Sequence, residues 1–275
     1  NHEFRSDFYL IIAKGETAEN ILKIVTPIEK IPANKLFNSL DISEQLWAPT
    51  VKMPLDKLIS DLTSPTRDTV LTGIRIIGDK TIGVTEKNTN KSEPYANMQF
   101  SGIAIFKDDK LVDWLGEEES KGYNYIMGKV KKSVGHLACP EGGLLAVDIV
   151  RTKSTIKGKV VNGVPHINIK LYVEENIGEV KCRIDLNQSE SIKLIEELAS
   201  KDLKKIMMAA IRKAQKNNAD IFGFGEAIED ADPKSWTHMK SDWDSYFADL
   251  DVSIDIDLQI RRLGTINNSL MERKE

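Results

Sequence analysis

From His166 to Val173 the chain reads HINIKLYV, and apolar and polar positions alternate without a break. Ile167, Ile169, Leu171 and Val173 fall on one face of an extended strand, with His166, Asn168, Lys170 and Tyr172 on the other, the pattern of a sheet covered on one side. The same reading predicts strands over 144–161 and 165–175 joined at Asn162-Gly163, a pair that accepts the positive backbone angles of a two-residue hairpin turn. The period then lengthens. Across 187–218, Ile192, Ile195, Leu198, Leu203, Ile206, Met207, Ala210, Ile211 and Ala214 recur at helical spacing, with Asn187 or Ser189 able to cap the start and Asn217-Asn218 the end. Alternation returns in VSIDIDLQI at 252–260, which turns Val252, Ile254, Ile256, Leu258 and Ile260 inward and Ser253, Asp255, Asp257 and Gln259 outward. That strand is expected to share an antiparallel sheet with the hairpin, and the 190–217 helix to cover it.

The first half alternates strand and helix signals. A strand near 7–14 leads through the turn Lys14-Gly15-Glu16-Thr17 into a helix near 18–25 capped by Thr17, and helices follow at 33–46 and 54–62, the second opened by Pro54. Strands are expected at 68–77 and 100–107, with the polar stretch TEKNTNKSEPYANM (85–98) between them as an exposed loop. The segment FSGIAIFKDDKLVDWLGEEES (100–120) predicts a hairpin that turns at 107–110 and ends at Leu115, and a helix at 118–128 comes next. SVGHLACPEG (133–142) carries two glycines and a proline and marks a boundary. The expected fold class is therefore α+β and multi-domain, with antiparallel or mixed sheets packed against helices. Its parts are an N-terminal α+β region over 1–132, which can divide again near 47–54, and a C-terminal α+β domain over 143–275.

With 275 residues the chain has room for two cores, and 41% apolar with 29% charged residues is the make-up of a folded, water-exposed protein. Lys and Arg number 38 against 42 Asp and Glu, a net charge of −4, which disfavours nucleic acid as a partner. Apolar runs such as Phe8–Ala13 fall far short of the ~20 residues that cross a bilayer. Asn1-His2-Glu3-Phe4 runs straight into a strand pattern, and an N-terminal truncation is expected. Cys139 and Cys182 are the only cysteines, and one bridge between them and two free thiols both stand open.

The most suggestive motif is Gly223-Phe224-Gly225-Glu226. Glycine frees main-chain N–H groups to converge on an anion, yet a long helix precedes the motif where a dinucleotide fingerprint needs a strand, and Glu226, Glu229 and Asp230 would repel phosphate. A hinge between packed elements is the better reading. Trp236 and Trp243 lie seven residues apart, on one face of a helix started by Asp232-Pro233, with Tyr246 and Phe247 completing a stripe. The stripe is assigned to the core rather than to a sugar-binding platform. Asp251, Asp255 and Asp257 crowd one strand without the glycine or terminal glutamate of a calcium loop, so no metal is expected. His2, His136, His166 and His238 lie in different elements, and the basic run Lys129–Lys132 reads as a solvated helix end. No catalytic residue and no cofactor are expected.

The order of the C-terminal pieces resembles the closing segment of the Ger(x)C family, the C subunits of nutrient germinant receptors in spore-forming bacteria. Asp220 through Glu226, then Pro233, Trp236, Trp243, Phe247, the alternating strand and Arg262 through Gly264 follow that pattern in sequence, and FSGIAIFKDDKLVDWL is similar to the family's GIAVF-type hairpin. FYLIIAKGETAENIL looks like a segment of its first domain. The resemblance implies a three-domain α+β lipoprotein with a lipidated (palmitate-bearing) cysteine upstream of this chain. It also implies integral-membrane A and B subunits as partners at the outer face of the spore inner membrane. Gly223, Gly225, Trp236, Trp243 and Gly264 enter as structural motif positions and not as a site, and the family's pattern supplies no catalytic residue. The alternatives are a cell-envelope solute-binding module with an aromatic cleft, or a hydrolase whose site is dispersed in sequence.

Overall fold

The computed structural model describes residues 8–262 apart from 28, 30, 47, 48, 91 and 183. A short strand β1 (Ile11–Ala13) is followed by helices α1 (Ala18–Leu22), α2 (Pro32–Leu46) and α3 (Leu55–Thr63). Strand β2 (Val70–Gly78), the one-turn helix α4 (Lys80–Gly83) and a 3-10 turn at Glu86–Thr89 lead to the hairpin of β3 (Ala96–Lys107) and β4 (Lys110–Leu115), and then to α5 (Glu117–Ile126). Strands β5 (Ser133–Ala138), β6 (Leu144–Val161) and β7 (Val164–Lys181) precede the long helix α6 (Ser189–Lys216). Helices α7 (Phe224–Ala231), α8 (Pro233–Met239) and α9 (Trp243–Ala248) and strand β8 (Asp251–Arg262) complete the chain. The architecture is α+β, built on two four-stranded sheets ordered β1-β2-β3-β4 and β5-β6-β7-β8.

Both sheets are mixed. β1 runs parallel to β2 and β8 parallel to β7, while the remaining neighbours are antiparallel. The antiparallel C-terminal sheet expected from strand order is thus corrected at β8. Helices α6 to α9 carry the chain back to the start of β7, where Asp251 lies beside His166, so β8 enters in the same direction as its neighbour. The alternation itself sets the register: Ile167, Ile169, Leu171 and Val173 are buried, as are Ile254 and Leu258, and α6 covers them with Ile195, Leu203, Met207 and Ile211.

Residues 133–138, expected as a boundary loop, are strand β5 paired along β6 from Ser133↔Ile149 to Ala138↔Leu144. Cys139 follows directly and is disulfide-bonded to Cys182, just past the end of β7. The loop expected at 85–98 is exposed over much of its length, as at Glu86, Lys87 and Glu93, and is anchored at Asn88, which is buried, donates to the carbonyls of Val25 and Ala96, and accepts from the Ala96 N–H at 2.9 Å. Neither Asn187 nor Ser189 caps α6; Gln188 holds that position without a side-chain bond, and Asp185 accepts from the Asn187 N–H instead. At the other end Asn218 takes φ of 50°, the left-handed turn that stops the helix.

One buried cluster joins the two sheets, from Val51, Val70 and Ile105 through Tyr123 and Ile126 of α5 to Ile169, Met207 and Ile211. The crossing of α5 over α6 depends on Gly122, where an added Cβ would stand 2.2 Å from the Ile206 carbonyl oxygen. Backbone meets backbone there, which only glycine permits.

Candidate functional site

The glycine motif sits at the turn between α6 and α7, and its geometry decides between anion loop and hinge. Asp220, 2% exposed, folds its carboxylate back into the turn. Oδ1 accepts from the N–H groups of Gly223 at 2.9 Å, Phe224 at 3.0 Å and Phe222 at 3.3 Å. Oδ2 accepts from the Gly225 N–H at 2.8 Å and from the Trp243 indole Nε1 at 3.1 Å. The main-chain N–H groups do converge on an anion, and the anion is the chain's own carboxylate. Burial pushes Asp220 up to about 6, while the converging donors pull it down and favour the ionised form at neutral pH.

Gly223 has φ of 73°, and a Cβ on it would lie 2.2 Å from the Arg67 guanidinium. Gly225 lets Trp236 and Trp243 close over the turn, since its Cβ would stand 3.1 Å from the Trp236 ring and 3.0 Å from the Trp243 Nε1. The two tryptophans are buried and meet edge to face with ring centroids 5.1 Å apart. They do not share one helix. A 3-10 turn at Lys240–Asp242 separates α8 from α9, and it folds the second ring against the first. Phe247 is buried beside them, while Tyr246, expected in the same stripe, faces solvent. Asp232 caps α8 by accepting from the Ser235 N–H at 3.0 Å, with Pro233 in the first turn. Gly264 and His2 lie outside the described residues.

The knot also binds the first sheet. Asp68, just before β2, accepts from the Asp220 N–H at 2.8 Å and donates its own N–H to the Asp220 carbonyl at 2.9 Å. Lys107, at the end of β3, reaches Asp244 at 2.7 Å and Asp68 at 3.2 Å. Burial raises the Asp68 carboxyl against the opposing pull of Lys107. Burial also disfavours the Lys107 cation, yet its bonds to Asp244 and Asp68 outweigh that and hold it above the usual lysine value.

The aspartates of β8 serve other side chains. Asp251 lies 3.1 Å from His166 Nδ1, Asp255 accepts from Asn168 at 2.8 Å and Asp257 from Gln259 at 3.1 Å. Among the described residues no group of three His, Cys, Asp or Glu side chains is placed to hold a metal. His238 lies in the last turn of α8, and His136 borders a chamber lined in part by strands β5 and β6 of the second sheet.

That chamber, about 340 Å³, lies between β5 and the α5–α6 pair. Leu137, Val147, Ile149 and Leu203 give it apolar walls, and Glu175 of β7 projects among them, 2% exposed and with no hydrogen-bond partner on Oε2. Desolvation by its surroundings pushes the Glu175 carboxyl up to about 7. Burial and the neighbouring Glu175 charge together raise the Tyr125 phenol above its ordinary value. The sequence held a signal for this residue. The inward phase of HINIKLYV, continued past Val173, falls on Glu175, a charged residue at an apolar position.

A family model described as "Spore germination B3/ GerAC like, C-terminal" matches residues 101–264, more than half of the chain. The chain belongs to the Ger(x)C family. A second model, "Spore germination protein N-terminal domain", matches residues 1–76. Among Ger(x)C relatives, Spore germination protein KC of Bacillus subtilis (strain 168) is 32% identical over 271 residues, 98% of this chain and 67% of that protein. Spore germination protein YndF of the same organism is 25% identical over 270 residues, 97% of this chain and 62% of its own length. The chain therefore spans about two-thirds of the length of these relatives. The crystal structure of the GerBC protein matches with a TM-score of 0.68 at 19% identity, over 94% of this chain and 70% of that one, which shows a common fold.

Proposed function

We propose that the chain is a non-catalytic subunit of a nutrient germinant receptor, and that it serves spore germination by completing and positioning the complex. Its partners on this reading are the integral-membrane A and B subunits. A lipid anchor outside this chain would hold it at the outer face of the spore inner membrane. The N-terminal region 1–132 and the C-terminal domain 143–275 are its two working units, with β5 joining the second.

The observation that carries the assembly reading is apolar surface on the first region. Ile42 of α2 and Ile59 and Leu62 of α3 are each more than 40% exposed, which supports apolar surface available to a partner. The Cys139–Cys182 disulfide supports an oxidising compartment outside the cytosol. No described helix is long and apolar enough to cross a membrane, which leaves anchoring to other means. The chamber at Glu175 favours a second reading, a solute-binding module, and is compatible with the first.

Co-purification tests the proposal. The full-length lipidated protein, extracted from spore membranes in mild detergent, is expected to bring down two integral-membrane proteins in fixed ratio. Ile42→Asp combined with Ile59→Asp should abolish that recovery without changing circular dichroism, because both side chains are more than half exposed. Recovery of the protein alone, or unchanged recovery with both substitutions, refutes the reading.

A further inference from the structure

Glu175 is a poor choice for stability alone. Its position in β7 points toward the helices, as Val173 and Ile177 do on either side, and an apolar residue there would complete the core. Instead the ladder is irregular beside it on both flanking strands, between Ile149 and Arg151 of β6 and between Glu175 and Asn176 against β8. Bulges of this kind re-aim side chains. The result is a buried carboxyl group with one oxygen, Oε2, lacking a partner, set in the wall of a chamber with room for a small organic molecule.

The chemistry of the occupant follows by exclusion. An anion is repelled by Glu175. A metal needs further ligands, and the described residues offer no cluster of them. A wholly apolar molecule leaves the carboxylate oxygen unpaired, which sacrifices the strongest available contact. A primary ammonium group supplies a charge-assisted bond, and an attached apolar body fills the space between Leu137, Ile149 and Leu203. We propose that this chamber binds a small primary amine with an apolar body, its ammonium group seated on the Glu175 carboxylate. The proposal goes beyond the receptor reading and does not depend on it.

Other titratable groups line the chamber. From α5 these are Glu118, Lys121 and the Tyr125 phenol; from α6, Asp202 and Lys205; from β5, His136. The two lysines offset the two rim carboxylates, so Glu175 is the group whose charge selects the amine. Affinity should fall as pH drops through the region near 7, where Glu175 takes up its proton.

The test uses the whole chain, isotopically labelled, titrated with 2-phenylethylamine, 2-phenylethanol or 3-phenylpropionate and followed by amide chemical shifts. The amine is expected to saturate at about pH 8, with shifts confined to residues around Val147, Ile149, Glu175 and Leu203. The alcohol should bind about 10-fold more weakly and the carboxylate not at all. E175Q, which keeps the shape and loses the charge, should bind amine and alcohol alike. Absence of saturation up to about 10 mM amine, shifts centred elsewhere, equal affinity for amine and alcohol, or E175Q retaining the preference would each overturn the proposal. If E175Q does not fold, the comparison of amine with alcohol on the wild-type chain decides alone. None of these outcomes bears on co-purification, so the two readings fail separately.

Discussion

Replacing Asp220 with alanine removes a carboxylate shared by five donors: the N–H groups of Phe222, Gly223, Phe224 and Gly225 and the Trp243 indole. Each buried donor left unpaired costs about 1–3 kcal/mol, and a simple sum overshoots because the turn relaxes and the desolvation cost of the charge is recovered. Removing one side of a buried charged network costs about 3–5 kcal/mol in practice, so D220A should lose about 4 kcal/mol. D220N is the sharper comparison. It keeps the volume and one carbonyl oxygen, but the amide nitrogen then faces either the Oδ1 donors or the Gly225 N–H and the indole, and the loss should be about 2–3 kcal/mol. Urea unfolding followed by far-ultraviolet circular dichroism and tryptophan fluorescence measures both, and D220A should melt about 10 °C lower. Hydrogen exchange at residues 222–225 should accelerate first, since these amides lose their acceptor. A D220A loss under about 1 kcal/mol, or D220N indistinguishable from wild type, would refute the claim that the carboxylate organises the turn.

Glu175 predicts a pH-dependent stability with a definite sign. Its folded value of about 7 lies above the ordinary 4.5, so the stability it contributes is fully present below 4.5 and lost as pH rises through about 7. At 1.36 kcal/mol per pH unit that interval is worth about 3 kcal/mol, and E175Q should be more stable than wild type by that order at about pH 8.5 and no more stable at about pH 4. Parallel pH curves for the two proteins in urea titrations would contradict this. Gly122→Ala should cost about 1–3 kcal/mol by thermal melting, because the new methyl must push α5 off the Ile206 carbonyl; a neutral result would mean the crossing is looser than described. Cys139 and Cys182 are separated by 43 residues, and reducing their bond should destabilise by up to about 4 kcal/mol on the chain-entropy account. An unchanged midpoint after complete reduction, checked by thiol titration, would remove the bond from the stability of the fold.

Alternation with a period of two made the β6–β7 hairpin and β8 legible, because Ile167 to Val173 and Ile254 to Leu258 occupy a half-covered sheet whose burial the sequence states directly. The direction of β8 was not legible, since alternation reads the same from either end. Strand β5 was hidden by Gly135 and the nearby Pro140, residues that signal turns in isolation and here accompany a strand held by pairing with β6. The break between α8 and α9 was hidden for the opposite reason: seven-residue spacing of Trp236 and Trp243 suits an unbroken helix equally well. At the glycine motif, composition gave the convergence of N–H groups but not their acceptor, because Asp220 becomes the anion only once the turn closes. Glu175 was visible in the strand phase, and its significance emerged only with the helices laid over it.

Strand β8 closes one end of its sheet, so its outer edge has no neighbouring strand among the described residues. An edge of 12 residues invites another strand to add, and a second copy of the same molecule is the nearest supply. The Ile260 N–H is occupied by the Glu196 carboxylate at 2.9 Å, which blocks one end of that edge. Along the rest, Asp251, Asp255 and Asp257 stand exposed on one face. An antiparallel approach of two such edges would bring these acidic rows together, and like charges across a strand pair are unfavourable. The acidic face of β8 therefore turns the open edge of this sheet away from a second copy of itself.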